Sequence, residues 1–94
     1  LPTVFALSPN FPNPFNPETT LRFQLPKRGA VELAIYDAAG QRVRALLGGE
    51  LAAGAYTAVW DGRDQAGHEV ASGTYFARLR AGSRMQVRKM TLLR

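Results

Sequence analysis

Apolar and polar residues alternate with a period of two over most of the chain, the spacing of strands that bury one face. Between Thr20 and Leu25 the apolar set is Leu21, Phe23 and Leu25, and Pro26 ends the run. Between Ala30 and Tyr36 it is Val31, Leu33 and Ile35. Asp37-Ala38-Ala39-Gly40 has Asp first and Gly last, the composition of a type I turn closing a hairpin. Gln41 to Leu47 returns with Val43, Ala45 and Leu47 on one face. Helix competes for Ala45-Leu46-Leu47, but Gly48-Gly49 would stop it within a turn.

Tyr56, Ala58 and Trp60 then oppose Thr57 and Val59. Trp60 is the only tryptophan, and the turn dipeptide Asp61-Gly62 follows it at once. The largest apolar group therefore stands at the end of a strand, with a polar loop beyond it. Thr74 to Ala81 sets Tyr75, Ala77 and Leu79 against Phe76, Arg78 and Arg80, and Gly82-Ser83 turns into Arg84 to Leu93. In that last run Met85 and Val87 are odd, whereas Met90 and Leu92 are even. The slip near Arg88-Lys89 predicts a β-bulge that turns the final residues over. About seven short antiparallel strands with turn signals between them make an all-β protein, a β-sandwich. Phe15, Phe23, Trp60 and Tyr75 are expected in its core.

The amino-terminal part uses different chemistry. All six prolines lie at or before Pro26, and all nine glycines at or after Gly29. Residues 1–6 read as a linker from an upstream domain, and residues 7–94 as the sandwich, with Phe5 and Leu7 pointing one way. Ser8 to Pro17 holds four prolines, which remove ladder donors and exclude a central strand. This stiff strap is expected to be pinned to the core by Phe11 and Phe15. Asn10, Asn13 and Asn16 are expected to bond nearby backbone as Asx turns. A proline-rich ligand for a peptide-binding module is the alternative.

At 94 residues the chain is one domain, burying about 60–65% of its unfolded surface. It has no cysteine, so disulfides and thiolate metal sites are excluded. No run approaches the roughly 18 consecutive apolar residues of a membrane helix. The chain begins at Leu1 and reads as a piece of a longer polypeptide. Its net charge is +5, and no acidic residue follows Glu69, whereas Arg78, Arg80, Arg84, Arg88, Lys89 and Arg94 do. Such a quarter can face nucleic acid, acidic glycans or anionic lipid. A solvated face with charged edge strands is the ordinary account, so no nucleic-acid partner is expected.

Candidate chemistry is sparse. His68 is the sole histidine, so no two bases are available, and the serines Ser8, Ser72 and Ser83 have no base and orienter in sequence. Asp61, Asp64 and Glu69 could surround a calcium ion, but Asp-x-x-Asp lacks the alternate-residue spacing of an EF-hand loop. Aspartates that satisfy turn donors explain them better. No cofactor is expected. Most aromatics fall on inward phases; Tyr36 and Phe76 point outward, which opens a reading as a carbohydrate-binding module.

Several motifs occur in a recognisable order: Asn10-Phe11-Pro12-Asn13-Pro14-Phe15-Asn16-Pro17, Tyr36 to Val43, and Ala53-Gly54-x-Tyr56 through Trp60-Asp61-Gly62-Arg63-Asp64 and Gly67. Ser72-Gly73-Thr74-Tyr75-Phe76 and Arg88-Lys89-Met90 follow. Together they resemble the C-terminal sorting domains of proteins exported by the type IX (Por) secretion system. The set is also similar to the immunoglobulin-like domain of the flagellar hook-capping protein. This resemblance implies an immunoglobulin-like β-sandwich without catalysis. It implies an exported parent chain at the cell surface or outside the cell. The partners would be outer-membrane secretion machinery and an upstream catalytic or adhesive domain of the same chain. It places recognition at Gly73, Tyr75, Lys89, Met90, Leu92 and Leu93. A passive structural module is the alternative.

Overall fold

The computed structural model describes residues 1–94 and is built of strands and loops only. The strands are β1 (Ala6–Leu7), β2 (Thr19–Leu25), β3 (Gly29–Asp37), β4 (Arg42–Leu51), β5 (Gly54–Trp60), β6 (Gly73–Ala81) and β7 (Arg84–Leu92). They form a three-stranded sheet in the order β1-β2-β5 and a four-stranded sheet in the order β4-β3-β6-β7. Every strand pairing is antiparallel. The alternating residues of β2, β3 and β6 produce the two inner faces: Leu21, Phe23 and Leu25 meet Val31, Leu33, Ile35, Ala77 and Leu79 in one buried cluster.

The β3–β4 hairpin closes as the turn residues dictate. The Asp37 carboxylate accepts from the backbone N–H of Ala39 (3.0 Å) and Gln41 (2.9 Å). Gly40 takes φ +83°, a conformation in which a side chain would be strained. β4 does not stop at the glycine pair but runs on to Leu51, pairing Gly48 with Glu32 and Gly49 with Val31. Its register with β3 slips twice, between Leu33 and Ala34 and between Ile35 and Tyr36. These bulges break the expected single face of Val43, Ala45 and Leu47. Leu46 now packs on the core beside Val43 and Leu47.

β7 carries no bulge. It pairs with β6 in unbroken register from Gly73↔Leu92 to Ala81↔Arg84. The apparent phase slip has another cause. Gln86 and Arg88 occupy inward-phase positions because they serve the backbone of β1. Leu7 N–H donates to Gln86 Oε1 (2.7 Å), Gln86 Nε2 donates to the Phe5 carbonyl (3.2 Å), and Arg88 Nε donates to the Leu7 carbonyl (2.6 Å). Further along, Met90 and Leu92 fill the core, and Met85 and Val87 lie outside.

The strap behaves differently from its simplest reading. Phe15 is buried and pins it, but Phe11 is 75% exposed and contributes its backbone, exchanging hydrogen bonds with Thr20. The reason is geometric: pairing with β2 at Phe11 turns that side chain outward. No Asx turn forms in the strap. Asn10 Nδ2 donates to Thr19 Oγ1 (2.9 Å) and to the Pro12 carbonyl (3.3 Å), a buried polar knot at the start of β2. Asn13 reaches across the molecule, its Oδ1 accepting from Thr91 N–H (3.0 Å). The core also extends back to Phe5, which is buried.

Trp60 joins these parts. It is fully buried, with Phe15 of the strap at 5.6 Å between ring centroids and Tyr75 of the other sheet at 5.2 Å in an edge-on arrangement. Its indole N–H donates to the Arg63 carbonyl (2.9 Å), so burial leaves no orphaned donor. Trp60→Ala is expected to cost about 3–5 kcal/mol, read as a lower urea midpoint with an unchanged slope.

A candidate recognition surface on the carboxyl-terminal strands

The β6–β7 hairpin brings the singled-out residues together in register, but on opposite faces. Gly73 lies opposite Leu92, Tyr75 opposite Met90, and Phe76 opposite Lys89. Tyr75, Met90 and Leu92 point into the core and are buried, whereas Gly73, Lys89 and Leu93 are exposed. A partner that meets the folded domain can touch only the second group. The first group positions it: Met90 and Leu92 anchor the strand from which Lys89 projects. Phe15, Phe23 and Trp60 are buried as well.

The free edge of β7 is covered at its carboxyl-terminal end. Phe15 N–H donates to the Thr91 carbonyl and Leu93 N–H donates to the Phe15 carbonyl (3.0 Å each), forming a parallel bridge between Phe15 and Leu92. Asn13 Oδ1 takes the Thr91 N–H, and the Gln86 and Arg88 side chains reach from β7 to the backbone of Phe5 and Leu7. The bonded part of this edge is Thr91 and Leu93, so an edge open to strand addition is confined to the Arg84–Lys89 half. β7 also offers its outward face.

The basic residues of the last quarter divide into two groups. Arg78 lies 4.5 Å over the Tyr36 ring and pairs with Glu32 (3.2 Å). Arg88 holds the Leu7 carbonyl. Arg94 plugs the loop after β5: its backbone N–H donates to Ser72 Oγ (2.8 Å), Nε to the Val70 carbonyl (2.6 Å), Nη1 to Glu69 (3.2 Å) and Nη2 to the Gly62 carbonyl. Gly62 has φ +74°, and a Cβ there would stand 2.9 Å from Arg94 Nη2 and 3.0 Å from the Pro17 carbonyl. Only glycine fits. Arg80, Arg84 and Lys89 form the second group, exposed and without an ion pair. The structural role of Arg94 has no signature in sequence, where it is one more basic residue.

Each carboxylate of the loop is already engaged. Asp61 Oδ1 accepts from Arg44 Nη1 (2.8 Å) and Arg63 N–H (3.1 Å), and Asp64 Oδ1 accepts from the N–H groups of Ala66 (3.0 Å) and His68 (2.9 Å). Glu69 pairs with Arg94. No group of three or more histidine, aspartate and glutamate side chains is placed to hold a metal ion. His68 projects into solvent, its Nδ1 3.9 Å from Asp64.

Tyr75 titrates above an ordinary tyrosine. Burial pushes its hydroxyl above the usual value of 10.0, the Asp37 carboxylate adds to the rise, and Arg94 opposes it. The hydroxyl donates to the Ala71 carbonyl (2.6 Å).

Seven antiparallel strands in sheets of three and four, closed over a tryptophan, define an immunoglobulin-like sandwich. The sequence profile of the FlgD Ig-like domain matches residues 11–84, and the chain belongs to that family. Among solved structures it shares its fold with dimeric latent PorU from Porphyromonas gingivalis (TM-score 0.69, 21% identity, 99% of this chain and 10% of PorU). PorZ, an essential surface component of the type IX secretion system of the same organism, aligns with a TM-score of 0.58 at 21% identity, over 96% of this chain and 11% of PorZ. FlgD from P. aeruginosa aligns with a TM-score of 0.56 at 27% identity, over 79% of this chain and 58% of that one. The chain thus spans about a tenth of the length of PorU and PorZ. No curated protein matches it.

Two measurements check this geometry. Arg94→Ala is expected to lower stability by about 1–3 kcal/mol through lost charge-assisted bonds, with faster amide exchange confined to residues 61–70; Arg94→Lys, lacking the planar fork, is expected to recover little. The raised value for Tyr75 gives stability that is fully present below pH 10, the unfolded value, and lost as pH climbs through the folded one. Tyr75→Phe is expected to flatten that alkaline decline in a series of urea melts.

Proposed function

We propose that this domain is a non-catalytic sorting and anchoring module that directs a longer exported chain through the type IX secretion system to the cell surface. The observation that carries the reading is the joint one of motif order and fold. The motifs from Asn10 to Met90 stand in the order of such sorting domains, and nearly the whole chain shares its fold with a segment of PorZ, a surface component of that system. The partners are then outer-membrane secretion machinery and an upstream catalytic or adhesive domain of the same polypeptide. A translocon serving unrelated cargoes needs a shape common to all of them, and a closed sandwich with a fastened strap is such a shape. Gly73, Lys89 and Leu93 supply the exposed contacts, while Tyr75, Met90 and Leu92 hold them in place.

Membership of the FlgD Ig-like family favours a second reading, a passive structural module that packs against neighbouring domains. A carbohydrate-binding module has less support, because one face of the Tyr36 ring already carries the Arg78 guanidinium.

Residues 1–94 fused behind a fluorescent cargo with an export signal, in a host carrying the secretion system, separate the readings. The sorting role predicts fluorescence at the cell surface, and a Trp60→Ala fusion left in the periplasm. A well-folded wild-type fusion that remains periplasmic overturns it in favour of the structural module.

A further inference from the structure

The outward face of the β4-β3-β6-β7 sheet differs in composition from an ordinary solvated face. Register sets its rows: Tyr36, Phe76 and Lys89 form one, Ala34, Arg78 and Val87 the next, and Glu32, Arg80 and Met85 the third. Tyr36 and Phe76 are half-buried, and Val87 and Met85 are 47% and 54% exposed. A shallow concavity of about 300 Å³ opens between Tyr36, Phe76, Arg78, Val87 and the Asp37–Gly40 turn. An apolar centre thus lies inside a charged border.

That border is unbalanced. Glu32 is shared by Arg42 (3.7 Å) and Arg78 (3.2 Å). Arg80 and Lys89 have no acidic partner, and they lie on either side of Val87. The two rows are four residues apart along the strand, about 14 Å at the strand rise. Aromatic residues, Met and Arg around a depression are the composition of a protein interface core, with cations at its rim.

We propose that this sheet face docks an acidic protein partner, which seats an apolar side chain between Phe76 and Val87 and sets carboxylates against Arg80 and Lys89. Charge complementarity selects the occupant. Two free cations with Glu32 and Asp37 on the neighbouring strand β3 make a poor track for a polyphosphate backbone. The strap takes the β7 backbone at Thr91 and Leu93, and the partner reads the side chains of the face beside it. The inference deepens the sorting reading and rests on it for the compartment in which the partner is met.

The test uses the same exported fusion with the photo-cross-linker p-benzoylphenylalanine at Val87. The expected result is an adduct with one envelope protein through a peptide rich in Asp and Glu. Its yield is expected to fall about tenfold in Arg80→Glu/Lys89→Glu, since like charges then face each other. Arg22→Glu/Lys27→Glu changes net charge equally, away from this face, and is expected to leave the yield unchanged; circular dichroism checks that both variants fold. No adduct, an adduct with a second copy, a lipid or a polysaccharide, a captured peptide without acidic residues, or equal yields in the two charge variants would each overturn the proposal. The adduct is scored separately from export. A wild-type fusion held in the periplasm sinks the sorting reading alone, and normal export of Arg80→Glu/Lys89→Glu with its adduct intact sinks the docking face alone.

Discussion

The contact of Trp60 with Phe15 and Tyr75 is the constraint on which the architecture depends. Trp60 belongs to the smaller sheet, Tyr75 to the larger, and Phe15 to the proline strap. An indole buries about 150–250 Å², which at about 25 cal/mol per Å² is roughly 4–6 kcal/mol. A domain of this size holds only about 5–15 kcal/mol in total. One side chain therefore carries a large share of the margin, and it does so at the junction of three otherwise separate pieces. The polar loop beyond it is part of the same unit. The Arg63 carbonyl accepts a hydrogen bond from the indole N–H and Asp61 binds Arg44, so the end of β5 is tied back to β4.

Sheet edges explain much of what remains. An unpaired strand edge invites another chain to add to it, and this fold covers part of two edges by different means. The strap bonds the β7 backbone at Thr91 and Leu93. β4 is bonded at one place by Gln65, whose backbone N–H donates to the Val43 carbonyl (3.0 Å) and whose Oε1 accepts from Ala45 N–H (2.9 Å). Both fall where β4 bulges, and a bulge frees backbone groups that then need a partner.

The local pattern was sufficient wherever a strand buries one face against the core. β2, β3 and β6 are legible residue by residue, as is the Asp37 turn, and the outward pair Tyr36 and Phe76 follows from the same phase. The pattern misleads where a side chain answers to a distant backbone group. Gln86 and Arg88 look like surface residues and imitate a bulge, because the β1 carbonyl and amide that they serve lie some eighty positions away. Phe11 and Phe15 look equivalent, and only the pairing of the strap with β2 decides which one turns inward. The real bulges in β4 leave no mark that distinguishes Leu46 from its neighbours. Alternation separates the inward Tyr75 from the outward Phe76, but no local signal shows that Lys89 shares a face with Phe76.

The bridge between Phe15 and Leu92 runs parallel, and the contacts of Phe5 and Leu7 with Gln86 and Arg88 continue in the same sense. Tension applied at the two ends of the domain would load these bonds side by side, in shear, so that they must break together; an antiparallel pair would instead unzip bond by bond. Forced opening is governed by the unfolding barrier and not by equilibrium stability. The strap that belts the sandwich thus doubles as a mechanical clasp, suited to a module pulled from both directions.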